Sequence, residues 1–465
     1  MSSAHRRARV GRTAAARAGP LPQTVCVTGS AARPEPGPVP SLLRRDLGFW
    51  EVAGSGVGVI VGAGIYVLVG AAAQHAGAAT WLSFLVAAAL SFLTALSYGE
   101  LASMYPHAGG VYAYTRAAFH PVPAFLTGWT LMVALAMGAA SVALGFAHYL
   151  REFVGVSQQA GALTLIGLCA AVALTGIKYS ARFTIILSLV EVGGLLLVIG
   201  VGAPHIGDVN LLESSSTSGI LRGAALVFFA FIGFDEVVTL AEETRNPHRT
   251  IPLAVLTALA VSTVLYVLVA IAAVSAVGAG DLASAERPLA LVLEETFGGG
   301  SVTVISVIAL LATTNTALMM LTAGSRVAYG MASAGALPQA LATVGAGSGV
   351  PWPAVAGCAA VAALLVLPGD IAVMAGATDA AIYFVFLAVN LSVIALRFRR
   401  PTASRAFRTP VSVWRVPLLP IFGIGATALM LSYVEAQSLL IGAGLSATGG
   451  VAYLALRPRG RRTGP

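Results

Sequence analysis

Charge is what this 465-residue chain has least of. Asp, Glu, Lys and Arg together make up 10% of it, against about 25% in a typical soluble domain. Cysteine is scarce too: Cys26, Cys169 and Cys358 are the whole complement, and their spacing suits neither a disulfide framework nor a metal site. The seven histidines (His5, His75, His107, His120, His148, His205, His248) fall in tails, loops or span ends. No His/Cys/Asp cluster and no nucleophile elbow appears, which argues against an enzyme and against a bound metal. The opening segment lacks the apolar core of a signal peptide. It is rich in Arg, Ala, Pro and Gly, and residues 1–43 read as a disordered cytoplasmic tail.

What the chain has instead is apolar length. Hydrophobic residues make up 57% of it, and the mean hydropathy is +0.86. Charge-free runs of about 20 residues recur, the length that crosses about 30 Å of hydrocarbon as a helix. A β-barrel would show short alternating segments. The pattern predicts an all-α polytopic membrane protein with spans at 51–73, 79–103, 121–150, 160–177, 182–203, 219–242, 252–277, 300–328, 353–368, 371–396, 415–433 and 436–456. With the N-terminus inside, 24 of the 27 Lys and Arg residues fall on the cytoplasmic side, and only Arg151, Arg222 and Arg287 fall outside. That asymmetry predicts cytoplasmic termini, including a short tail at 457–465. It also accounts for the pI near 9.7 without nucleic acid.

Two spans are unusual. The first holds "GSGVGVIVGAGIYVLVG", residues 54–70, with six glycines, each costing a helix about 1 kcal/mol relative to Ala. The sixth holds "GAALVFFAFIGFDEVVTLAEE", with Gly233 in mid-span and Asp235 and Glu236 after it. These spans open two successive five-span blocks, which an odd count inserts in opposite senses. Interrupted helices at matching places in inverted halves mark the binding site of a secondary transporter. A break at Val61–Ile65 would present amide groups suited to a carboxylate. Carbonyls there and near Phe229, Ala230 and Ile232 would suit an ammonium group. Gly54, Gly56 and Gly58 are read as packing glycines, Gly70 as serving the outer end, and Gly62 and Gly64 as the ones that let the helix stop and restart.

The same stretches resemble the amino acid–polyamine–organocation superfamily. "GSGVGVIVGAGIYVLVG" resembles its first span. "ALSYGELASMYPHAGGVYAYTRAAF" (95–119) resembles the end of the second, and "FFAFIGFDEVVTLAEETRNPHRTIPLAV" (228–255) the sixth and its exit. "GSRVAYGMASAGALPQAL" (324–341) and "RFRRPTASRAFRTP" (397–410) fit later loops, so the likeness runs in order from about residue 44 to 456. It is nearest to the bacterial branch similar to cationic amino acid transporters. The resemblance implies a five-plus-five inverted repeat (44–242 holding the first repeat and the start of the second, 243–396 the rest) and two further helices in 397–456. It also implies amino acid transport by alternating access in a bacterial plasma membrane, by a monomer or homodimer. By that resemblance the substrate carboxylate would meet the amides of Gly62, Ala63 and Gly64, with Ile65 following. Its ammonium would meet carbonyls at Ile60, Phe229, Ala230 and Ile232, and Phe231 and Phe234 would either line or gate the pocket or serve as core aromatics.

Two departures from the family pattern shape the mechanism. Where many members carry a lysine in span 5, this chain has Glu191. A carboxyl group in mid-membrane is costly and usually functional. It would carry a proton, hold Na⁺ together with Thr313 and Thr314, or make a structural hydrogen bond. In span 3, "GWTLMVALA" (128–136) puts Thr130 and Ala134 where cationic-substrate relatives have acids, which favours a neutral amino acid. No cofactor is implied beyond the coupling ion, H⁺ or Na⁺. Asp235 joins either the broken helix or the coupling. Glu100, Glu242 and Glu243 are read as structural or gating partners of nearby arginines, and Asp379 faces either the pathway or a neighbouring helix. Competing readings are a sodium symporter or an exchanger, and, in another class, a channel or a membrane sensor. Polar residues clustered at breaks speak against a channel, and the lack of a sizeable soluble domain against a sensor.

Overall fold

The computed structural model describes residues 47–456 except 106–109, 152, 176, 214–215, 243, 298–299, 346–348 and 368–369. The two predicted tails, 1–43 and 457–465, and Glu243 lie outside the described residues, as do the side chains of Lys178, Arg182 and Glu242. Sixteen α-helices account for most of what is described. They are α1 (Phe49–Ile60), α2 (Ala63–Ala76), α3 (Thr80–Met104), α4 (Gly110–Ala118), α5 (Pro121–Leu150), α6 (Gln158–Thr175), α7 (Ile177–Gly202) and α8 (Thr217–Val227). After them come α9 (Pro247–Val277), α10 (Ala279–Ser284), α11 (Pro288–Phe297), α12 (Gly300–Ser333), α13 (Trp352–Leu365), α14 (Ile371–Arg399), α15 (Leu418–Leu431) and α16 (Ala436–Leu456). A two-stranded antiparallel ribbon, Ser412–Val413 with Val416–Pro417, precedes α15.

Each predicted apolar run is helical, two of them interrupted. Among the described residues, eight segments are able by length and composition to cross a membrane, and four apolar helices are shorter: Phe49–Ile60, Thr217–Phe231, Trp352–Leu365 and Leu418–Leu431. Helices α4, α10 and α11 were not predicted. They are short, and a search for apolar runs of about 20 residues passes over them.

Local chemistry sets several helix ends. Proline opens α5 and α9, where its missing N–H costs no hydrogen bond. The side chains of Ser216 and Asp370 cap α8 and α14 by accepting from Gly219 N at 2.9 Å and Val373 N at 3.0 Å.

The packing sorts the helices into two groups. In one, α3 lies against α8 and α9, α1 against α9, and α2 against α8. In the other, α5 packs against α12, α6 and α13. Helices α7 and α14 touch both: α7 meets α1, α9 and α12, and α14 meets α3, α4, α5 and α8. The core follows from this. The most apolar stretch of α5 is 89% buried, that of α16 only 11%. Exposed Leu440, Val451 and Leu454 on α16 therefore present an apolar face outward, as lipid contact requires.

Candidate functional site

The α1/α2 interruption is two residues long. Val61 (φ −74°, ψ 77°) leaves the helix and Gly62 (φ −125°, ψ −152°) is extended before Ala63 restarts it. The amides are accounted for one by one. Val61 N–H donates to Val57 O at 2.7 Å, Gly62 N–H to Ile60 O at 2.8 Å, and Ala63 N–H to Thr316 Oγ1 of α12 at 2.9 Å. Gly64 and Ile65 follow in the first turn of α2, where amides lack helical partners. All six residues from Ile60 to Ile65 are buried.

The second interruption is longer. Past Val227 the chain tightens into a 3₁₀ turn, Phe228–Phe231. Ile232 is then extended (φ −62°, ψ 137°), and Gly233 has φ +122°, a conformation that excludes nearly every other residue. Asp235 Oδ1 accepts from Gly233 N at 3.3 Å, and Glu236 N donates to Gly233 O at 3.0 Å. A 3₁₀ stretch, Val237–Glu242, completes the segment. The backbone then returns beside the start of α1, where Arg245 N donates to Leu47 O at 2.8 Å.

The two breaks touch. A Cβ on Gly64 would lie 2.5 Å from Ala230 Cα, and one on Gly233 would lie 2.7 Å from Val59 Cγ1. A Cβ on Gly62 would run into Thr316 Oγ1. Tyr266 of α9, fully buried, ties the breaks together: its hydroxyl lies 2.5 Å from Ile60 O and 2.9 Å from Ala230 O. These are two of the carbonyls expected to meet an ammonium group. A third, Phe229 O, accepts from Ile232 N at 3.2 Å. Phe231 and Phe234 are fully buried in aromatic clusters, Phe231 with Phe84 and Tyr266, Phe234 with Tyr98 and Phe386.

Behind the first break lies a polar cluster. Glu191 of α7 is fully buried, and neither carboxyl oxygen has a hydrogen-bond partner. Asn315 of α12 lies beside it and donates to Ser188 Oγ at 3.4 Å. Ser188 in turn occupies the space that a Cβ on Gly58 would need. The Glu191 main-chain carbonyl accepts from Tyr66 of α2 at 2.7 Å. Thr313 and Thr314, expected beside Glu191, donate their hydroxyls to carbonyls of their own helix: Thr313 to Ala309 O at 2.8 Å, Thr314 to Leu310 O at 2.7 Å. The α12 residues whose polar atoms reach the first break and Glu191 are Asn315 and Thr316. Both lie in the same polar run, "TTNT", and the helical phase of α12 against α7 decides which of its members turn inward.

At one end of the bundle Glu100 of α3 is nearly fully buried and receives three groups. Arg397 grips it through Nε at 3.0 Å and Nη2 at 2.6 Å, Arg405 donates from Nε at 3.1 Å, and Thr409 N at 2.9 Å. The arginine partners expected of Glu100 are thus far away in sequence. Of the three glycines read as packing residues, Gly56 (against Ala258 and Val237) and Gly58 pack closely, but a Cβ on Gly54 would meet nothing within 4 Å. That corrects the packing role predicted for Gly54, which a sequence shows only as spacing. Among the described residues no group of three His, Cys, Asp or Glu side chains is placed to hold a metal.

Buried polar backbone at two touching helix breaks, inside an apolar helical bundle, is the pattern of a membrane transporter. Residues 47–456 match the amino acid permease family, and the chain belongs to it. It is 33% identical over 401 residues to the branched-chain amino acid permease BcaP of Bacillus subtilis, covering 81% of this chain and 85% of that one. It is 30% identical over 404 residues to the methylthioribose transporter of the same organism, covering 82% and 84%. To cationic amino acid transporter 1 of Arabidopsis thaliana it is 27% identical over 376 residues, covering 77% and 63%. The chain is a transporter and not an enzyme.

Proposed function

We propose that the chain is a proton-coupled permease for a neutral amino acid, working by alternating access in a bacterial plasma membrane. The arrangement is twelve spans, five and five inverted plus two, with both termini cytoplasmic. One observation carries the reading: at the touching breaks, side chains of this chain make the contacts a zwitterion would make. Thr316 Oγ1 accepts from the Ala63 amide, where a carboxylate oxygen would sit. The Tyr266 hydroxyl points at Ile60 O and Ala230 O, where an ammonium would sit. A bound amino acid would take over those contacts, its carboxylate accepting from the amide and its ammonium donating to the carbonyls, so that the buried backbone groups stay paired.

Neutral side chains are favoured because Thr130 and Ala134, both buried on α5, bring no charge. Likeness to a branched-chain permease points the same way. Glu191 is assigned the proton, because an unpaired carboxylate at its depth needs a proton or a cation to be tolerable. Its oxygen-bearing neighbours Ser188 and Asn315 keep Na⁺ as the competing coupling ion.

Uptake of radiolabelled amino acids into proteoliposomes under imposed H⁺ or Na⁺ gradients tests the reading. An acid-outside gradient is expected to drive accumulation of a neutral amino acid. No transport of any amino acid, under either gradient or in exchange, removes it. Glu191→Gln is expected to weaken pH-driven uptake yet still bind substrate, and unchanged pH dependence in that variant excludes Glu191 as a carrier.

A further inference from the structure

Two carboxyl groups among the described residues are fully buried with both oxygens lacking a hydrogen-bond partner: Glu191 on α7 and Asp379 on α14. Their placement is parallel. Helices α7 and α14 each touch both helix groups. Glu191 lies behind the first break, and Asp379 faces the backbone of Phe229 in the second. Each has a tyrosine nearby that ties it to the helix of its break. Tyr66 of α2 donates to the Glu191 carbonyl at 2.7 Å, and Tyr383, one turn beyond Asp379, donates to Ala225 O of α8 at 3.3 Å.

Among the described residues, the surroundings of Asp379 offer no cation. From α5 come Gly138, against the Thr378 methyl, and Ser141, which donates to Ile371 O at 3.0 Å. From the second break comes Phe228, whose ring lies 4.6 Å from that of Tyr383. From α16 come Ser438, whose hydroxyl donates to Val373 O at 3.2 Å, and Gly442, against Ala377 O. Helices α3, α4 and α15 meet α14 as well. Among the described residues those helices bring the buried Tyr98, whose ring lies 6.0 Å from that of Phe386 of α14, and the cluster of Glu100, Arg397 and Arg405, joined to one another at the far end of α14. The titratable group that faces Asp379 is Tyr383. An ionised carboxylate cannot persist in such a place, and an Asp kept only for packing would be replaced by Asn at no electrostatic cost.

We infer that Asp379 is a second coupling carboxyl, paired with the second break as Glu191 is with the first, so that two protons accompany each substrate. Each carboxyl holds its proton while the helix groups are closed on it and exchanges the proton when rearrangement along α7 or α14 lets water reach it. The inference rests on the permease reading and on Glu191 as proton carrier.

The measurement is the limiting accumulation of a neutral amino acid in proteoliposomes with the membrane potential clamped at zero. Each coupled proton multiplies that limit about tenfold per pH unit. The wild type is therefore expected to approach about 100-fold at a gradient of one unit. Asp379→Asn is expected to fall to about tenfold while keeping the substrate-induced rise in melting temperature. Asp379→Ser repeats the measurement if the Asn variant does not survive purification. The Glu191→Gln/Asp379→Asn pair is expected to exchange substrate without accumulating it. A wild-type limit near tenfold, or an Asp379→Asn limit equal to the wild type's, overturns the inference and leaves the permease reading standing. So does an Asp379→Asn variant that only changes which amino acids compete for uptake, since that would make Asp379 a contact for the substrate side chain. A wild type that moves no amino acid in any mode takes both down.

Discussion

Gly54 and Gly64 share one apolar stretch and carry opposite expectations. A methyl group on Gly64 runs into the backbone of Ala230, and no rotamer change relieves that. Gly64→Ala is expected to cost about 1–3 kcal/mol of overpacking and to abolish uptake. Gly54→Ala has open space around its Cβ. It is expected to leave uptake unchanged and to stabilise α1 slightly through better helix propensity. Melting temperatures in detergent and uptake assays on the two variants read both outcomes. Tyr266→Phe removes the hydroxyl that serves Ile60 O and Ala230 O while keeping the ring packed on Phe84 and Phe231. Leaving a buried carbonyl without a donor costs about 1–3 kcal/mol. The variant is expected to melt lower than the wild type when empty, and to gain more in melting temperature than the wild type does when saturated with substrate.

At the scale of elements, α2 begins in the interior and borrows its cap from another helix. Thr316→Val keeps the shape but removes the oxygen that accepts from Ala63 N. Lost caps cost about 1 kcal/mol, and the variant is expected to bind substrate with altered affinity because the Ala63 amide is left open. The Glu100 clamp joins α3 to α14 and to the segment after it. Breaking a buried pair strands the remaining charge at about 3–5 kcal/mol, so Glu100→Gln, which strands Arg397 and Arg405, is expected to melt well below the wild type. The interruptions themselves were readable from glycine in an otherwise unbroken apolar run. Their contacts were not. "TTNT" showed that α12 carries polar groups in mid-span, but whether Thr313 and Thr314 or Asn315 and Thr316 reach the first break and Glu191 depends on the rotation of α12 about its axis. That is set by packing against α5, α7 and α13.

For the whole molecule, the division into two helix groups with α7 and α14 between them is the feature alternating access would use. The inverted topology has its own test. With native Cys26, Cys169 and Cys358 all replaced by Ser, single cysteines at Ala285 and Ala406 are expected to react with an impermeant maleimide from opposite sides of the membrane. Reaction from the same side would refute the proposed insertion.

Apolar run length, charge asymmetry and two glycine-bearing spans were enough, without coordinates, to establish a helical membrane protein and where its helices break. Those properties are local: they depend on how far a run extends and which residues a helix tolerates. The folded chain alone decided that the two breaks touch at Gly64 and Ala230, and that Tyr266 spans them. It also decided that Glu100 belongs to Arg397 and Arg405, and that Asp379 lies at the second break as Glu191 lies at the first. Each of those pairings joins residues distant in the chain, and helix rotation and packing, which no single segment encodes, bring them together.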